Sequence, residues 1–191
     1  MEQREALEEL RAIRAVMEQT RRAAGRGGWG RFMVLWGTVW LLGFLGTQFI
    51  LVTQFVDHHW INWLWGTLNL VGAAGSIWMG IRLERRTRSP LGRRIFLFWL
   101  ASVAFTLLIW RLFGSRIGIQ YLGVFIVLVV ALAFVQFGIF FSTAVACVGS
   151  LIAALGLVGF LLLPAYFNLI MSLLGGGLMI GMGLWIIRRW E

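Results

Sequence analysis

Lysine is absent from this 191-residue chain, and all seventeen basic residues are arginine. Cysteine occurs once, histidine twice, proline twice, and the acidic residues number eight. Each scarcity excludes something. The lone Cys147 cannot close an internal disulfide, and a thiol set among Ala, Val and Gly in an apolar run is inert. Without lysine there is no phosphate-binding loop of the Gly-Lys type. A His-Glu-x-x-His zinc helix and a Gly-x-Ser-x-Gly elbow are also missing. Ser89 and Ser115 have no base within reach by sequence. No charged residue falls in the middle of an apolar run, where proton relays and ion-coupled transport need one. The chain therefore reads as non-catalytic and free of cofactors, and an ion-coupled antiporter is disfavoured.

What is present is apolar length. Sixty per cent of residues are apolar, 13% are charged, and the mean hydropathy is +0.84. A soluble domain of this size needs more polar surface than that. Runs of about 20 apolar residues cross roughly 30 Å of hydrocarbon. The expected fold is all-α: an integral membrane bundle of about six transmembrane helices, preceded by an amphipathic helix. Spans are predicted at about 32–53, 61–81, 95–113, 117–141, 142–163 and 166–187. Residues 1–30 are read as a cytoplasmic helix with a Gly/Arg joint, and 31–191 as the bundle. With residues 1–24 charged and lacking an apolar centre, no cleavable signal peptide is expected.

The basic charge of +9 is clustered. Fifteen arginines lie in residues 4–31, residues 82–94 and at Arg188–Arg189, each flanking an apolar run. The segment containing Arg82, Arg85, Arg86, Arg88, Arg93 and Arg94 is read as a loop broken by Ser89-Pro90 and Gly92. Placing it and both termini in the cytoplasm leaves only Arg111 and Arg116 outside, as the positive-inside bias requires. The charge is thus topological, directed at anionic lipid rather than nucleic acid.

Residues 2–22 are the one soluble-looking helix. Ala6, Leu10, Ile13 and Met17 recur at four-three-four spacing, with acidic residues at the start and Arg21–Arg22 at the end. A stripe this short needs a partner. The membrane surface, a second copy or another protein would serve, with Leu10, Ile13 and Met17 as the docking residues. Ile13-Arg14-Ala15-Val16-Met17-Glu18, the Arg/Gly joint, and Leu35-Trp36-Gly37-Thr38 resemble an uncharacterised family of multi-pass bacterial inner-membrane proteins. The resemblance implies that location and no activity.

Within the spans, small residues suggest packing seams. Ser142, Ala146, Gly149, Ala153 and Gly156 share one face of span 5. Gly72, Ser76 and Gly80 line up in span 2, and Gly177 and Gly181 in span 6. Asn69 and Gln136 are expected to hydrogen-bond across helices. Asp57-His58-His59 is the only cluster with ligand chemistry. Adjacent side chains point apart, so His58 and His59 are weak metal candidates unless an oligomer doubles them. Leu35-Trp36-Gly37-Thr38…Leu41…Gly43 returns as Leu64-Trp65-Gly66-Thr67…Leu70…Gly72, a pattern that a hairpin duplication or chance would produce. Two functions follow as expectations. One is a non-catalytic anchor, regulator or accessory subunit of a membrane assembly. The other is a small transporter or channel-like protein for a lipid or apolar solute, in either case with a homo-oligomer open.

Overall fold

The computed structural model describes residues 28–53, 57–87, 90–117, 121–141 and 143–190. These form α1 (Trp29–Thr53), α2 (His59–Thr87), α3 (Pro90–Ile117), α4 (Leu122–Phe141) and α5 (Thr143–Leu162). A 3-10 turn at Pro164–Tyr166, α6 (Phe167–Ile170), a π-helical stretch (Met171–Gly176) and α7 (Gly177–Trp190) make the last span. Six helices are long and apolar enough to cross a membrane. Helix is the expected answer in hydrocarbon, where a backbone must satisfy its own N–H and C=O groups within one segment. Leu10, Ile13, Met17 and Arg88 lie outside the described residues.

The centre of the bundle is the antiparallel pair of α1 with the last span. A Cβ placed on Gly30 would lie 2.6 Å from the carbonyl oxygen of Gly183. One on Gly37 would lie 2.9 Å from that of Gly176, and one on Gly176 would lie 2.9 Å from that of Gly37. The partners on each helix are seven residues apart, so two backbones touch at successive crossings of one seam. Further along, the hydroxyl of the fully buried Ser172 donates to the carbonyl oxygen of Leu41 at 2.8 Å. Helices in lipid gain nothing by hiding apolar surface from water, so close van der Waals approach and such hydrogen bonds must hold them. The π stretch contains Ser172, Gly175 and Gly176, and Trp40 packs 3.6 Å from the Cβ position of Gly175.

Helices α4 and α5 form a second tight pair. Gly138 abuts the backbone of Ala146, and a Cβ on Gly149 would lie 2.8 Å from the Ala131 carbonyl oxygen. Gly156 leaves room for Val127. The two pairs share one core, in which Met33, Val127, Ile152, Met171 and Met179 are fully buried. Phe167 joins them, with rings edge-on to both Phe44 and Phe160. The remaining spans are peripheral. Helix α2 rests mainly on α1 and α3 mainly on α4. Only 6% of each of these spans is buried, against 28–39% of the other four.

Four boundaries in the middle of the chain differ from the sequence reading. The arginine-rich stretch is helical on both sides: α2 continues to Thr87 and α3 begins at Pro90. Proline is well suited to a first helical position, where its missing N–H costs nothing, and Gly92 falls inside α3. Arg85 and Arg86 therefore belong to the last turns of α2, and Arg93 and Arg94 to the first turns of α3. At the other end, Gly114-Ser115-Arg116 is no turn, because α3 runs to Ile117 with Arg116 in its last turn. A cation there complements the helix dipole. The fourth span accordingly starts at Leu122 rather than 117.

Because the Gly30–Gly183 and Gly37–Gly176 contacts involve backbone on both sides, no side chain can yield to an added methyl group. Gly37→Val and Gly176→Val should each destabilise the bundle by about 1–3 kcal/mol. Gly177→Ala and Gly181→Ala, where a Cβ meets nothing within 4 Å, should stay within about 0.5 kcal/mol of the parent. Unfolding midpoints in mixed micelles would check both.

Candidate functional site: the α1–α2 hairpin and the outer face of α2

The turn between α1 and α2 carries the only histidines. Asp57 Oδ1 accepts hydrogen bonds from the His59 ring at Nδ1, 3.1 Å, and from the His59 backbone N–H, 3.3 Å. This is an Asx-type turn that opens α2. Hydrogen bonding to the His59 side chain, then to its backbone, holds the Asp57 carboxyl below the ordinary carboxylate range. Both groups are largely exposed, His59 by 86% and Asp57 by 72%. His58 is exposed as well. Among the described residues, no three His, Cys, Asp or Glu side chains gather as a metal site would need.

Each Leu-Trp-Gly-Thr segment meets, across the hairpin, the stretch that follows the other copy. Trp36 Nε1–H on α1 donates to Ser76 Oγ on α2 at 3.0 Å, and Ser76 donates onward to the Gly72 carbonyl. Reciprocally, Trp65 Nε1–H on α2 donates to Thr47 Oγ1 on α1 at 3.0 Å, and Thr47 donates to the Gly43 carbonyl. Each indole also fills the space left by a glycine. A Cβ on Gly72 would lie 3.3 Å from Trp36, and one on Gly43 would lie 2.7 Å from Trp65. The leucines follow suit, Leu35 against Gly75 and Leu64 against Gly46. The correspondence thus extends past Leu-Trp-Gly-Thr to Gly46-Thr47 and Gly75-Ser76. The hairpin is built on a local two-fold axis, and the indole hydrogen bond and the leucine–glycine contact each occur twice.

That symmetry ends at the outer faces. Gly37 on α1 receives Gly176, whereas its counterpart Gly66 on α2 meets nothing within 4 Å. Trp40 is 4% exposed, while its counterpart Asn69 faces outward. Asn69 was expected to bridge helices; instead its Nδ2 donates to Trp65 O of its own helix at 2.8 Å. Among the described residues no neighbouring helix covers that face, so the amide shares the carbonyl one turn back. Asn62, Gly66, Asn69, Ala73 and Gly80 all lie exposed along α2 at four-three-four-seven spacing. Leu70 beside them is 71% exposed. Asn69 stands about 15 Å along α2 from His59, near mid-bilayer. Gln136 likewise lies exposed, on α4.

The other singled-out residues fall as follows. Gly72 and Ser76 lie in the hairpin contact, and Gly80 outside it. Ala146 and Gly149 face α4, and Ala153 packs against the common core. Gly177 and Gly181 point away from the α1 seam, and the glycines that make it are Gly176 and Gly183. Their signal was present as a seven-residue repeat in both helices, Gly30/Gly37 and Gly176/Gly183. Arg82 lies with its guanidinium 3.9 Å from the Trp78 ring, an arrangement that lets the cation rest on an aromatic face at a membrane interface. Cys147 is exposed on α5.

Removing one hydrogen bond of the hairpin, by Trp36→Phe, Ser76→Ala, Trp65→Phe or Thr47→Ala, leaves the fold intact. A double-mutant cycle for Trp36 with Ser76 should give a coupling of about 0.6–1.7 kcal/mol. The Trp65–Thr47 cycle should match it, since both pairs have the same geometry. Comparison of the chain with protein-family models, with characterised proteins and with solved structures returns no match.

Proposed function

We propose that the protein is a non-catalytic accessory subunit or scaffold of a membrane assembly, and that it engages a partner span through the outer face of α2. The observation that carries this reading is the contrast between the two peripheral helices. Between Leu97 and Ile109 the outward residues of α3, among them Val103, Phe105, Leu107 and Leu108, are apolar and suit lipid. Those of α2 include two amides and two glycines. An amide facing hydrocarbon is costly unless paired, and glycines beside it let another backbone approach. The core, by contrast, is closed by glycine-to-backbone contacts along both main seams, which weighs against a conduit for solute.

In this reading the protein resides in a bacterial inner membrane. The arginine-rich ends of α2, α3 and α7 and both termini face the cytoplasm, following the charge bias. The close contact of Gly30 with Gly183 supports a common side for the two ends of the described chain. The helix predicted over residues 2–22 then offers a second, cytoplasmic contact through Leu10, Ile13 and Met17.

A photo-crosslinking residue at Leu70 or Ala73 should yield a discrete protein adduct in native membranes, and Asn69→Leu with Gly66→Leu should remove it. Adducts with lipid alone would end the proposal. Leu10→Asp with Ile13→Asp should weaken co-purification of a cytoplasmic partner without changing the unfolding of the bundle; unchanged recovery would limit the contact to α2.

A further inference from the structure

Away from the hairpin, an open groove of about 610 Å³ runs between α5 and the last span. Its walls include Ala144 and Val148 on α5 and Leu174, Gly177, Gly181 and Trp185 opposite, and it is almost wholly apolar. Gly177 and Gly181 leave its floor open, since neither carries a side chain and a Cβ on either would touch nothing. From Leu173 to Trp185 it extends about 18 Å at the rise of a helix. That is close to one leaflet, half of a hydrocarbon core of about 30 Å. One end of the groove therefore opens at an interface and the other stops near mid-bilayer.

The interfacial end is positive. Leu174, Leu178, Gly181 and Trp185 advance by fours and threes, and the same progression reaches Arg188 and Arg189. Both arginines are exposed. The Arg189 guanidinium lies 5.0 Å from the centre of the Trp185 ring that forms the groove's mouth. An apolar trough one leaflet deep, with two guanidinium groups at its mouth, matches one kind of molecule.

We propose that this groove is a binding site for a single anionic phospholipid. One acyl chain lies along Gly177 and Gly181, and the head-group phosphate is held by Arg188 and Arg189. A guanidinium pairs well with phosphate through its fixed fork of donors. The proposal is independent of any partner on α2, which lies on a different part of the bundle.

The test uses the full chain reconstituted in nanodiscs of mixed phosphatidylcholine and phosphatidylglycerol, then released for native mass spectrometry. The parent should retain one phosphatidylglycerol per chain in preference to phosphatidylcholine. Each arginine near a lipid surface is worth about fivefold in binding. Arg188→Gln with Arg189→Gln should then lower the preference roughly 25-fold. Gly181→Leu, which fills the trough and keeps the charge, should lower retention of both lipids. Thermal unfolding in a neutral detergent separates loss of the site from loss of the fold. Equal retention of the two lipids by the parent would overturn the proposal. So would unchanged preference in the double variant, or a Gly181→Leu protein that loses a dimeric mass rather than a lipid.

Discussion

Backbone-to-backbone contact at glycine is the constraint on which this structure rests. Lipid tails are as apolar as leucine, so two membrane helices have no reason to associate merely because both are greasy. What distinguishes one neighbour from another is how closely the backbones can come and whether a polar group is satisfied in between. Gly30 with Gly183 and Gly37 with Gly176 supply the first for α1 and the last span, and Ser172 with the Leu41 carbonyl supplies the second. Gly138 and Gly149 supply the same close approach for α4 and α5. The shared core of Met33, Val127, Ile152, Met171 and Met179 then fills what those seams leave between the pairs.

The α1–α2 hairpin solves the same problem by a different device. Each indole N–H is led to a hydroxyl on the facing helix, and each hydroxyl passes its own proton to a glycine carbonyl one turn back. No donor in either relay is left without an acceptor. Because the sequence around Trp36 is repeated around Trp65, antiparallel pairing makes both relays at once. A repeat that reads as a loose likeness along the chain is a matched pair in space. Its two halves part company where α1 is covered by the last span and α2 is not. Among the described residues, the amides on the outer face of α2 and the arginines above the groove between α5 and the last span are polar groups that point away from the bundle's own helices.

Several features were legible in advance for physical reasons. Runs of apolar residues long enough for a bilayer mark six helices. Other readings failed because their signals are ambiguous. Pro90 and Gly92 suggest a break, yet proline opens a helix as readily as it ends one. Asn69 suggests a cross-helix bond, yet a carbonyl one turn back is always available to an asparagine amide. Gly80, Gly177 and Gly181 sit at the spacing of a packing seam but face outward.

By itself, then, the order of residues decided the solvent this protein lives in, the number of crossings and the ends that carry charge, since all three depend on summed hydropathy and on counting arginines. Only the tertiary structure decided which side of each helix is inside. In water the buried face of a helix betrays itself as an apolar stripe against a polar one. In hydrocarbon both faces are apolar, so rotation about each axis is set by contacts between specific small residues, and those become visible only when the helices are placed together.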